Sequence, residues 1–193
     1  MINNMMIGHQ FIFKEFGVKP TIGWDIDTFG HSDTNNRLYA EMGFDAMFFS
    51  RLDRDEKDQR SHERKMTYLW RPGHNHFGNQ NQILTYVFPG DYCYPEGFSS
   101  GEFYDADDVF VSDESLSTFN ADQKMTDFIN MVHDQYKARK GQNLLIPMGC
   151  DFAYQNAKQE FETLENLVSY INTHNTANIE LKISTPGTWV KAV

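Results

Sequence analysis

Apolar residues recur at helical spacing at the start of the chain. Ile2, Met5, Met6, Ile12, Phe13 and Phe16 predict a helix, with Gly17 as its C-terminal stop. The period then drops to two: Ile22, Trp24 and Ile26 alternate with smaller or polar residues over 21–26, the pattern of a strand. Asp33 is expected to cap a helix running to about Glu41, with Gly43 ending it, and Ala46–Phe49 predicts a short apolar strand. A charged stretch over 51–64 precedes Met66, Tyr68 and Trp70, which alternate again. Residues 71–81, rich in Gly, Asn and His, have loop composition, and 83–88 predicts another strand. The Gly-, Tyr- and Asp-rich connection over 89–108 is long, a length that marks functional or disordered loops. Asn120 is placed to cap a helix with Met125, Phe128, Ile129, Val132 and Tyr136 on one face and Gly141 after it. Two further strands are predicted over 144–148 and 179–183, flanking a helix marked by Phe161, Leu164, Leu167, Val168 and Ile171.

Strands alternating with helices predict an α/β fold with a largely parallel sheet. Such sheets bind ligands beyond the C-terminal ends of their strands, so the residues to interrogate are those just past each strand: Asp27, Arg51, Tyr92 and Asp151. Two carboxylates, a guanidinium and a phenol on one rim suit acid–base chemistry or glycoside hydrolysis. Trp24, Phe29, Tyr94, Phe152 and Tyr154 add aromatic faces on which a sugar can rest. Composition narrows the field further. The balance of 17 basic against 27 acidic residues gives −10 and argues against nucleic acid as a partner. No apolar run nears the ~18 residues of a membrane span, no signal-peptide pattern opens the chain, and two cysteines make no disulfide framework.

Several residues have plainer readings. Asp27 can cap a turn, and Asp25, on the same strand face by period two, is expected to support the site or lie at the surface. His31 is either a hydrogen-bond partner orienting the site or a structural histidine; its pairing with Asp33 on a metal is disfavoured because Asp33 serves as a cap. His74 and His76 have no third ligand nearby and read as a solvated loop. Cys93 and Cys150 each flank a candidate site residue; a disulfide is open to them in an oxidising compartment, but two free thiols are the expectation. The charges from Arg51 to Arg60, mixed in sign, read as a solvated face.

Longer words in the chain carry more. Gly23-Trp24-Asp25-Ile26-Asp27-Thr28-Phe29-Gly30-His31-Ser32 closely resembles the nucleophile tract of class II alpha-mannosidases, glycoside hydrolase family 38. Met42-Gly43-Phe44-Asp45 with Phe48-Phe49-Ser50-Arg51-Leu52-Asp53 resembles the next block of that family's lysosomal branch. Trp70-Arg71 matches a family pair, Met148-Gly149-Cys150-Asp151-Phe152-Ala153-Tyr154-Gln155-Asn156-Ala157 is similar to the acid/base segment, and Ser184-Thr185-Pro186 to the next strand end. Arg54 departs from the family, which often has an aromatic there.

The resemblance implies a zinc-dependent, retaining alpha-mannosidase that removes terminal alpha-linked mannose from glycans in a lysosome or other secretory-pathway vacuole. In it Asp27 is the nucleophile and a zinc ligand, Asp151 the general acid/base, and Phe29, Arg51 and Tyr92 substrate-binding residues. The family's other zinc ligands, including a His-x-Asp block, have no match here; His31-Ser32-Asp33 follows the nucleophile tract instead of preceding it. The five or six expected strands are too few for the family's seven-stranded β/α barrel. Residues 1–193 are therefore expected to be one segment of a catalytic domain, truncated at both ends, with the remainder of that domain as partner and no activity alone. A competing function is a non-catalytic carbohydrate-binding or interaction remnant of the same fold.

Overall fold

The computed structural model describes residues 1–73, 75, 78, 81–99 and 109–193. Helix α1 (Ile2–Phe16) forms as its periodicity predicts and stops at Gly17, whose φ of 67° lets its N–H reach the Phe13 carbonyl. No residue of α1 is buried, although Met5 rests against the core and His9 stacks near Phe44. Strand β1 (Ile22–Trp24) leads into α2 (Asp33–Glu41), then β2 (Ala46–Phe49), α3 (Arg54–His62), β3 (Thr67–Trp70) and β4 (Ile83–Val87). Helices α4 (Ala121–Lys137), α5 (Ala157–His174) and α6 (Pro186–Val190) follow.

Among the described residues the sheet has four strands in the order β1-β2-β4-β3. β1, β2 and β4 are mutually parallel, with Trp24 opposite Phe48 and Phe48 opposite Tyr86; β3 runs antiparallel to β4. The α/β class and the largely parallel sheet predicted from the pattern are both present. Helix α6 is capped by Thr185, whose Oγ1 accepts from the Thr188 N–H.

β2 is buried on both faces, and its period of two divides the core. Met47 and Phe49 join Tyr39, Phe44, Met66, Ile83 and Val87 on one side. Ala46 and Phe48 join Tyr86, Phe88, Tyr92 and Trp189 on the other. Each large side chain so buried contributes roughly 1.5–3 kcal/mol. Trp189 on α6 packs edge-on against Tyr86 at 4.8 Å, which fixes α6 on that face. A third cluster joins α4 to α5 through Phe98, Phe128, Val132, Leu167 and Ile171.

Asn120 precedes α4 as expected, but its side chain makes no capping bond and instead accepts from the Val111 N–H at 2.9 Å. Three further expectations need correction. Residues 144–148 and 179–183 form no strand and pair with none among the described residues. The alternation in the first is real: Leu144, Ile146 and Met148 enter the helix cluster while Leu145 faces the sheet cluster, where its carbonyl accepts from the Tyr86 hydroxyl at 2.8 Å. In the second, a side chain of α5 and one just after it replace a neighbouring strand. Asn172 donates to the Leu181 carbonyl at 2.9 Å and accepts from its N–H at 2.8 Å, and Asn175 donates to the Ile179 carbonyl. Asp33 is not the cap of α2. Ser32 holds that position with extended backbone and accepts from the Asn35 N–H at 3.1 Å, while the Asp33 carboxylate takes the Trp70 indole N–H at 2.8 Å. The third correction, at the cysteines, belongs to the site. His74, His76 and residues 100–108 of the long connection lie outside the described residues.

Candidate active site

Parallel pairing of β1, β2 and β4 puts their C-terminal ends on one edge of the sheet, and the candidate residues gather there. The pairing continues past β1, since Asp25 N–H donates to the Phe48 carbonyl and Ser50 N–H to the Ile26 carbonyl. That carries Asp27 and Arg51 out side by side. Arg51 Nε and Nη2 approach Asp27 Oδ1 at 2.9 and 2.8 Å. Both donors converge on one oxygen. The guanidinium also lies 5.3 Å from the Phe29 ring centroid and 5.4 Å from that of Tyr92. Tyr92 is buried, and its hydroxyl donates to Asp151 Oδ1 at 3.2 Å. Asp27, Arg51, Tyr92 and Asp151 thus form one continuous chain of contacts, with Phe29 beside it.

The electrostatics agree with that closeness. Desolvation raises the Tyr92 phenol above its ordinary value, and the charges of Asp151 and Asp27 push it the same way. One hydroxyl therefore senses both carboxylates. The Arg51 guanidinium is held more firmly protonated, first by its hydrogen bond to Asp27.

A cavity of about 310 Å³ opens on the Asp151 side, lined by Trp24, Phe88, Tyr92, Met148, Cys150 and Asp151 among others. It falls at the small end of small-molecule sites, roughly 300–1,000 Å³. Asp27, Phe29 and Arg51 lie outside its lining. Phe29 is 83% exposed, so it presents a bare ring beside Asp27.

The supporting residues sort themselves. His31 stacks on Phe49 at 3.8 Å, and its Nε2 bonds the Arg51 carbonyl at 2.8 Å, so the orienting reading of this histidine fits. The Asp25 carboxylate is taken by the Thr28 hydroxyl, which closes the turn before Phe29. Cys93 and Cys150 form a disulfide, with Cα atoms 4.3 Å apart, and this overturns the expectation of two free thiols. Spacing cannot reveal such a pair, because the two cysteines are 57 positions apart and meet only once the loops after β4 and before α5 converge. Closing a loop of that length contributes roughly 4 kcal/mol in the chain-entropy picture.

Lys57 was hidden in the charged stretch. It sits on α3, whose cap is signalled by Asp53 accepting from the N–H groups of Asp55 and Glu56. No apolar residue marks the inner face of this helix. Lys57 Nζ donates to the carbonyls of Ser50 at 3.0 Å and Gly90 at 2.6 Å, the residues just before Arg51 and the Asp91-Tyr92 pair. Burial pushes its ammonium below the usual lysine range, opposed by the nearby Asp91 charge. One cation therefore ties the β2 and β4 loops together. Lys57→Met is expected to lower stability by roughly 1–3 kcal/mol, because two backbone carbonyls lose a charged donor and the loops lose their tie. A thermal melt checks this, and an unchanged midpoint would show the tie to be dispensable.

Among the described residues no group of three or more His, Cys, Asp or Glu side chains can hold a metal ion. Catalytic zinc takes three protein ligands as a rule, so these residues by themselves do not fit a zinc site. No helix among them is long and apolar enough to cross a membrane.

Comparison with known proteins adds the family. The model described as the N-terminal domain of glycosyl hydrolases family 38 matches residues 1–193. The lysosomal alpha-mannosidase of Dictyostelium discoideum is 36% identical over 193 residues, covering 100% of this chain and 19% of the relative. The alpha-mannosidase of Canavalia ensiformis is 33% identical over 196 residues, covering 100% and 19%. The lysosomal alpha-mannosidase of Bos taurus is 32% identical over 195 residues, covering 98% and 19%. The chain spans about a fifth of the length of these relatives.

Proposed function

This chain belongs to glycosyl hydrolase family 38, and from that premise we propose that it is the part of a retaining alpha-mannosidase that carries both catalytic carboxylates. The observation that carries the reading is the continuous contact from Asp27 through Arg51 and Tyr92 to Asp151. Retaining glycosidases need two carboxyl groups flanking one glycosidic bond, and this relay holds two at one sheet edge.

Asp27 attacks the anomeric carbon. Arg51 occupies Oδ1, which leaves Oδ2 as the attacking oxygen and orients the carboxylate. Asp151 protonates the departing glycosidic oxygen, then accepts a proton from the water that releases the sugar. Tyr92 fixes the rotamer of Asp151. Phe29, bare beside Asp27, offers a platform for the apolar face of the sugar ring.

Zinc enters this reading only as an ion to which Asp27 contributes one oxygen, its other ligands coming from outside these residues. The remainder of a β/α barrel is the natural partner of the open four-stranded sheet. The substrate is a glycan with terminal alpha-linked mannose, and the compartment is lysosomal. The family relatives support both, and the disulfide suits an oxidising secretory route.

The test is turnover of an aryl alpha-mannoside by the complete protein, with the first-formed anomer followed by NMR. Release of alpha-mannose before mutarotation is expected. Beta-mannose would overturn the retaining mechanism, and binding of mannosides without turnover would favour the carbohydrate-binding remnant.

A further inference from the structure

Three consecutive residues of the loop after β4 are each fastened to the segment that carries Asp151. Tyr92 bonds Asp151 itself at 3.2 Å, and Cys93 is joined covalently to Cys150. The Tyr94 hydroxyl donates to Glu160 Oε2 at 2.6 Å. Glu160, on the first turn of α5, is buried, and its other oxygen accepts from the Tyr154 N–H. Between these fastenings the backbone is strained: Phe152 and Tyr154 have φ of 61° and 63°, values costly for aromatic residues. Such a turn persists only when its surroundings over-determine it. Asp151 is therefore held in place by cross-links on both sides and not by sheet pairing, because the approach segment 144–148 has no strand partner among the described residues.

We propose that the Cys93–Cys150 disulfide is a positioning element for the acid step, holding Asp151 on the Tyr92 hydroxyl, and that its reduction selectively disables proton delivery to the leaving group. The proposal rests on the assignment of Asp151 as the acid. Cys150 lines the cavity, so a small reductant reaches the bond. A water-soluble phosphine attacks one sulfur and the S–S bond breaks. The expelled sulfur takes a proton from water, and hydrolysis of the thiophosphonium frees the second thiol. The balance is one disulfide, one phosphine and one water giving two thiols and one phosphine oxide. Afterwards Asp151 has lost the covalent restraint beside it, and the strained turn is free to relax.

The experiment uses the complete protein and two substrates, phenyl alpha-mannoside, whose leaving group needs a proton, and 2,4-dinitrophenyl alpha-mannoside, whose leaving group does not. Phosphine treatment is expected to lower kcat/KM, which reports the first step alone, about 10-fold for the phenyl substrate and less than about 2-fold for the dinitrophenyl substrate. The double variant Cys93→Ser/Cys150→Ser should show the same split and no further response to phosphine. Iodoacetamide should label neither cysteine before reduction and both after it. Equal losses on the two substrates, no loss on either, or labelling of both cysteines in the untreated protein would each overturn the proposal. Failure of the untreated protein to turn over either substrate would instead overturn the assignment of the enzyme, and the proposal with it.

Discussion

Asp27→Asn in the complete protein is expected to abolish alpha-mannoside turnover, with kcat reduced on the order of 10⁴-fold or more. An amide does not attack an acetal carbon, so the group that forms the new bond is lost. The Asn oxygen still accepts the two Arg51 hydrogen bonds, and position 27 is exposed, so folding should be spared. The loss should be equally deep for substrates with good and poor leaving groups, because the missing group forms the new bond in both. Single-turnover kinetics with a dinitrophenyl mannoside, alongside a thermal melt, separate this from unfolding. A variant that keeps more than about a tenth of wild-type kcat would remove Asp27 from the role.

Asp151→Asn should behave differently. General acid catalysis is typically worth about 10²–10⁴-fold, so hydrolysis of phenyl mannoside should fall by that order. Bond cleavage in a dinitrophenyl mannoside should change far less, because the phenolate leaves without a proton. The second step then lacks its base, and the glycosyl-enzyme should accumulate. Azide, a nucleophile that needs no deprotonation, should restore turnover and yield alpha-mannosyl azide. The Asn oxygen can still accept from Tyr92, so the loop should stay in place. Equal losses on both substrates, with no rescue by azide, would count against the acid/base role.

The contrast between strands and loops explains what could be read from residues alone. β1, β2 and β4 show themselves because each must bury alternate side chains against a sheet, as Met47 and Phe49 oppose Ala46 and Phe48. The same alternation misleads at 144–148. Its side chains do face two clusters, yet period two reports burial on two faces and says nothing about a hydrogen-bonded neighbour. At 179–183 the missing neighbour is supplied by Asn172 on α5 and Asn175 just after it, whose amides carry no periodic signature. The meeting of Asp27, Arg51 and Tyr92 is legible because a parallel sheet sends its strand ends to one edge. Their supports are not. Lys57 works by donating to backbone carbonyls, Glu160 by accepting from Tyr94, and Cys93 by meeting Cys150, all contacts created only when distant loops converge.

Trapping the covalent intermediate tests the division of labour between the two carboxylates most directly. A fluorinated alpha-mannosyl fluoride that reacts quickly with the nucleophile and hydrolyses slowly would be incubated with the complete protein, which is then digested and mapped by mass spectrometry. The peptide containing Asp27 should gain the mass of one fluorinated mannosyl unit, with fragmentation placing it on that side chain. Label on Asp151, or on any other carboxylate, would contradict the account.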